Sequence, residues 1–139
     1  MIALDSGVLV RYLTGDDPAL AAAARELIEG DEAVGLSSVV LLEIVHVLRG
    51  EPYARDNPDL TDTLIELLSR ENVRLTDLDA DLVMAAFAGV RHLSARHLAD
   101  ALVAAAAKSA AARVLVTNDR TFASRIVPLA QLGELAEQP

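Results

Sequence analysis

There is no cysteine among the 139 residues, which removes disulfides, thiolate metal sites and cysteine nucleophiles together. Tryptophan is absent as well, and aromatics reach only 3%. The core is therefore expected to be aliphatic and helix-rich, without an aromatic platform for stacking bases. Positive charge is scarce: 12 Lys and Arg against 21 Asp and Glu leave a net −9. Such a surface repels nucleic acid as a whole. No apolar run approaches the ~18 residues of a membrane span. The first strand starts at residue 2, leaving no room for a signal peptide. A cysteine-free chain of this kind fits a reducing cytoplasm. What is present is a 53% hydrophobic composition, which argues for a folded chain and against disorder. One domain over residues 1–139 is expected, with a polar tail fraying after Gly133.

Strands and helices alternate along the sequence. Ile2 to Leu4 read as a short buried strand that stops at Asp5-Ser6. Leu9, Val10 and Leu13 mark a helix ending near Gly15. Asp17-Pro18 reads as cap and first residue of a helix to Glu29, with Gly30 as its stop. Ala33 to Leu36 is a second strand. Ser37 or Ser38 caps a helix through Leu48; its Val and Ile content would also suit a strand, but its length and its Ser and Gly punctuation favour helix. Residues 51–58 are a loop, and Asn57-Pro58 opens a helix through Leu68. Val73 to Leu75 is a strand. Asp79 caps one helix and Ser94 the next, which runs from Ala95 to about Ala111. Val114 to Thr117 is a strand, Asn118 to Phe122 a turn, and Val127 to Leu129 an edge strand. This order predicts an α/β fold, with a mostly parallel sheet of four to five strands and helices on both faces.

Four acids stand out. Glu43 interrupts a stretch that is otherwise apolar except for His46. Asp100 is the only charge between Leu98 and Ala107, on a helix apolar nearly all round, and Asp is a poor residue for a helix interior. Asp5 and Asp119 each follow a strand, where an Asp alone is often just a cap. In an open α/β sheet, ligands collect outside the carboxyl ends of the strands, and all four acids are expected to converge there. Carboxylates packed together repel or take up protons unless a cation joins them. Mg²⁺ or Mn²⁺ suits such oxygen donors. With no cysteine and only His46, His92 and His97, zinc is poorly supported.

The same residues carry a resemblance. Asp5-Ser6-Gly7-Val8-Leu9-Val10-Arg11-Tyr12-Leu13, Ser37-Ser38-Val39-Val40-Leu41-Leu42-Glu43, His97-Leu98-Ala99-Asp100-Ala101-Leu102 and Thr117-Asn118-Asp119-Arg120-Thr121-Phe122 resemble, in order, the four motifs of PIN-domain proteins. The likeness is greatest to the VapC toxins of bacterial toxin–antitoxin pairs. It implies a PIN-like three-layer sandwich and a Mg²⁺- or Mn²⁺-dependent endoribonuclease. It also implies a homodimer and a small antitoxin that covers the active-site groove. Asp5, Glu43, Asp100 and Asp119 would be the acidic quartet and metal ligands, with Glu43 or Asp119 as general base. Ser6, Thr117 and Asn118 would support them, Thr117 by a hydrogen bond to Asp5. Gly7 stands where an Asn is common, and Thr121 where a further acid is common.

Two bound Mg²⁺ ions would bring −9 only to about −5, so RNA would need a local grip. Arg11, Arg91, Arg96 and Arg120 are the candidates, each weighed against an ordinary ion-paired surface role. A non-catalytic PIN-like scaffold is the main alternative. A receiver or a HAD-type phosphatase is disfavoured: residue 7 is Gly where a second Asp is wanted, and the only lysine, Lys108, lies inside a helix.

Overall fold

The computed structural model describes residues 1–134. Apart from Glu134, the tail expected to fray after Gly133 lies outside them. The order of elements is β1 (Ile2–Ala3), α1 (Ser6–Thr14), α2 (Pro18–Ile28), β2 (Val34–Leu36), α3 (Ser38–Arg49), α4 (Asn57–Leu68), β3 (Val73–Leu75), α5 (Ala80–Gly89), α6 (His97–Ser109), β4 (Leu115–Thr117) and β5 (Leu129–Gln131). Each of the first three strands is followed by two helices before the next strand begins. The fold is α/β, and every strand pair is parallel. Hydrogen bonding divides the strands into a three-stranded sheet, β1-β2-β3, and a two-stranded one, β4-β5. No helix among the described residues is long and apolar enough to cross a membrane.

Local chemistry explains most helix starts. Asp17, Ser37, Asp56 and Asp79 each stand at an N-cap in extended backbone, and their side chains accept N–H groups of the first turn, which would otherwise lack partners. α1 ends at Gly15, whose φ of 67° is the left-handed cap that glycine adopts without strain. The Val-rich α3 is a helix, and it buries Leu41, Ile44, Val45 and Leu48 on one face.

Four expectations shift. β1 covers only Ile2 and Ala3, and both are exposed because β1 is the edge of its sheet; Leu4, just beyond it, is buried. α6 begins at His97, not Ala95. Ser94 contributes its carbonyl to the His97 N–H at 3.0 Å rather than a side-chain cap. α6 ends at Ser109 because Ala111 turns to φ 58° and the Ala112 N–H reaches back to the Ala107 carbonyl. The last strand starts at Leu129, beyond Pro128, whose carbonyl accepts from Leu115; proline has no N–H to offer a ladder.

The core is aliphatic, as the composition requires. Leu9, Ile28, Leu36, Leu41, Ile44, Leu48, Leu60, Leu64, Leu98 and the lone buried aromatic Phe87 are fully enclosed. β2 is the central strand and is buried throughout. Because β1 and β2 run parallel side by side, their carboxyl ends open on the same edge. Asp5 therefore leaves the sheet next to the start of α3, and α1 packs against α3.

Candidate active site

Asp5 and Glu43 are brought together. Asp5 caps α1: its Oδ1 accepts the Ser6 N–H at 2.7 Å. The Ser6 hydroxyl then donates to Glu43 Oε2 at 3.0 Å. One serine thus links the acid at the end of β1 to the acid on α3, using one oxygen of each. Both carboxylates are exposed, so their remaining oxygens face solvent at low desolvation cost.

Asp100 lies in the first turn of α6. Its Oδ2 is 3.0 Å from Nδ1 of His97, one helical turn earlier, and the two side chains keep 19% and 10% of their accessible surface. Asp119 lies in the turn after β4. The N–H and hydroxyl of Thr121 both donate to its Oδ1, at 2.8 and 2.7 Å. These bonds, with the nearby Arg96 guanidinium and His97 imidazole, hold the Asp119 carboxyl below the usual aspartate range.

The four acids do not form one cage. Among the described residues no three His, Asp or Glu side chains stand close enough to share a metal ion. Asp5 and Glu43 form one pair, and Asp100 and Asp119 are each engaged by donors of their own neighbourhood. The donor chemistry nevertheless suits a hard cation. Mg²⁺ is commonly held by one or two carboxylates, with water and substrate phosphate completing its shell. The Asp5–Glu43 pair meets that requirement.

Of the supporting residues, Thr117 departs from expectation. Ser6 is the bridge just described. Thr117 makes no hydrogen bond to Asp5 among the described residues. Its hydroxyl accepts the Asp119 N–H at 3.0 Å, and β4 pairs with β5 and not with β1. Asn118 is exposed. Two of the four arginines are ion-paired. Arg11 donates to Asp16 at 2.8 Å, and Arg91 grips Asp62 through two bonds of 2.9 and 2.8 Å. Arg96 donates to the Thr121 hydroxyl at 2.9 Å, and Arg120 is exposed.

Three participants escaped the sequence reading. His97 was legible in principle, because positions three apart share a helix face. Thr121 was legible too, since an Asp two residues before a Thr makes a local side-chain turn. Asp77 had no signal: it lies beyond β3 and accepts the N–H and hydroxyl of Ser38 at 2.9 and 2.6 Å, tying the start of α3 to the sheet edge.

Beside Asp5, α1 and α2 enclose a mostly apolar cleft of about 410 Å³ lined by Val8, Leu20, Ala23, Ala24 and Leu27, with Arg11 on its wall. A parallel α/β fold with a carboxylate pair at the end of β1 agrees with what the sequence matches. The PIN domain family covers residues 2–126, and the chain belongs to that family. PIN domains are generally metal-dependent nucleases and typically bind divalent metals. No curated protein matches the chain.

Proposed function

We propose that this protein is a Mg²⁺- or Mn²⁺-dependent endoribonuclease, the toxin of a toxin–antitoxin pair acting in the cytoplasm. The observation that carries this is the Asp5–Ser6–Glu43 link at the carboxyl edge of the sheet, in a PIN-domain chain. When bound, the metal would lower the pKa of a coordinated water and neutralise charge on the phosphodiester. Asp5 and Glu43 would hold it, with Asp100 and Asp119 as further candidate ligands. Ser6 fixes one oxygen of Glu43 and leaves the other free to accept a proton. Asp119, whose Oδ1 accepts both bonds from Thr121 while no bond is made to its Oδ2 among the described residues, is the second candidate base.

The proposed partners draw on surface features. The apolar cleft beside Asp5 suits the apolar face of a small antitoxin, which would then cover the acids. Val39 and Val47 of α3 and Val103 of α6 are exposed on helices that pack together, and they suit a homodimer contact. RNA would be gripped by Arg96, Arg120 and the metal, since Arg11 and Arg91 are neutralised by Asp16 and Asp62.

A second reading, a non-catalytic PIN-like binding module, is favoured by one observation: no three carboxylates are gathered for a metal among the described residues. The deciding experiment incubates the purified chain with single-stranded RNA and Mn²⁺. Cleavage that EDTA and Asp5→Asn both abolish supports the nuclease. A folded wild type that cuts no RNA with Mg²⁺ or Mn²⁺ supports the module. Thermal unfolding gives an independent check, because a bound metal at a hundredfold excess over Kd adds about 2.7 kcal/mol.

A further inference from the structure

The least expected feature of the acidic edge is a buried histidine. His97 opens α6 and keeps only 7% of its surface, yet nothing in its apolar helix requires a polar ring. Its Nδ1 lies 3.0 Å from Asp100 Oδ2. An ionised carboxylate has only acceptors, so the hydrogen in that contact belongs to the imidazole. Of the two side chains the imidazole is the deeper one, at 10% exposure against 19%. The ring is thus the anchor, and the carboxylate is the member that reaches the surface.

We propose that His97 is a positioning residue: its Nδ1–H holds Oδ2 of Asp100 and so turns Oδ1 outward, toward a divalent cation at the acidic edge. This rests on the metal-dependent reading above. The physical reason for such a device is the position of Asp100. An aspartate in the first turn of a helix has several staggered rotamers, and some would bond the backbone of its own turn instead. Arg96, at the α6 N-cap, supplies no side-chain bond, and the His97 and Leu98 N–H groups are taken by the Ser94 and Ala95 carbonyls. The buried imidazole one turn back is therefore the donor that selects one rotamer of the carboxylate. Outer-shell hydrogen bonds of this kind fix the orientation of ligands.

The test has a metal-free arm and a metal arm. In the metal-free protein, long-range ¹H–¹⁵N NMR should show His97 as the Nδ1–H tautomer, with its resonance shifted in Asp100→Ala. The Nε2–H tautomer, with Nδ1 bare, would overturn the proposal. In the metal arm, Mn²⁺ affinity is measured by calorimetry. His97→Asn keeps an N–H donor near the Nδ1 position and should bind within about threefold of wild type. His97→Leu fills similar volume without a donor and should lose ~10–100-fold. Should His97→Leu fail to fold, His97→Met replaces it, a flexible side chain of similar volume that also has no N–H donor. Equal Mn²⁺ affinity of the donor-keeping and donor-lacking variants overturns the proposal. A wild type that binds no Mn²⁺ overturns the nuclease reading and the purpose assigned to His97, while the tautomer still reports whether the hold exists.

Discussion

Asn57 provides the sharpest test of how packing delivers the acidic edge. It is 1% exposed at the start of α4. Its amide donates to the Val90 carbonyl at 2.8 Å and, at 3.4 Å, to that of Ser94, while its Oδ1 accepts the buried Thr61 hydroxyl at 2.6 Å. It thereby ties α4 to the turn that leads into His97. Asn57→Ala removes two good bonds and one marginal one. The carbonyls are not orphaned, because Val90 still accepts from Leu93 and Ser94 from His97. At ~1 kcal/mol for each lost bond, plus the small void left by the amide, the cost is about 2–3 kcal/mol. At ~3–4 °C per kcal/mol for a chain of this size, Tm should fall by about 6–12 °C. Asn57→Asp should fall further, because it aims a buried carboxylate at two carbonyls and keeps no donor. A double-mutant cycle with Thr61→Val should show coupling of ~0.5 kcal/mol or more. The assay is thermal unfolding followed by circular dichroism. A fall below ~2 °C for Asn57→Ala, or an Asp variant more stable than the Ala variant, refutes the bonding scheme.

Gly7 lies within α1, and a Cβ built there meets nothing within 4 Å; Gly7→Ala should therefore stabilise the protein by ~0.5–1 kcal/mol, and a lowered Tm would contradict it. The Asp16 carboxyl is held down at about 2 by the Tyr53 hydroxyl, then by Arg11 and Thr14. A folded-state pKa below the unfolded one adds stability that is present above the unfolded value and is lost as pH falls through the folded one, here between about 4 and 2. Tyr53→Phe removes the largest cause, so Asp16 should titrate at higher pH and acid unfolding should begin earlier; an Asp16 carboxyl ¹³C titration identical to wild type would rule this out.

Much of this molecule is local information. Asp17 before Pro18, Ser37 before the Val-rich run and Asp79 before Ala80 mark helix starts because a cap bonds groups two or three residues away. The helical character of the Val-rich α3 was legible from its length and its Ser and Gly punctuation, and the oddness of Glu43 and Asp100 in apolar runs was visible without any partner. The family was legible for the same reason, since its motifs are contiguous stretches. Partnerships are another matter. Ser6 meets Glu43, Ser38 meets Asp77, Asn57 meets Val90 and Arg91 meets Asp62 across 29 to 39 residues of chain. No periodicity encodes such contacts; they exist only once strands have paired in register and helices have packed. The register of β1 on β2 decided that Asp5 and Glu43 share a serine, whereas the bond from the Asp119 N–H to the Thr117 hydroxyl spans only two residues and is local. Which acids stand together is set by tertiary packing, because a carboxylate's range of bonding is a few ångströms and only the folded backbone brings distant residues within it.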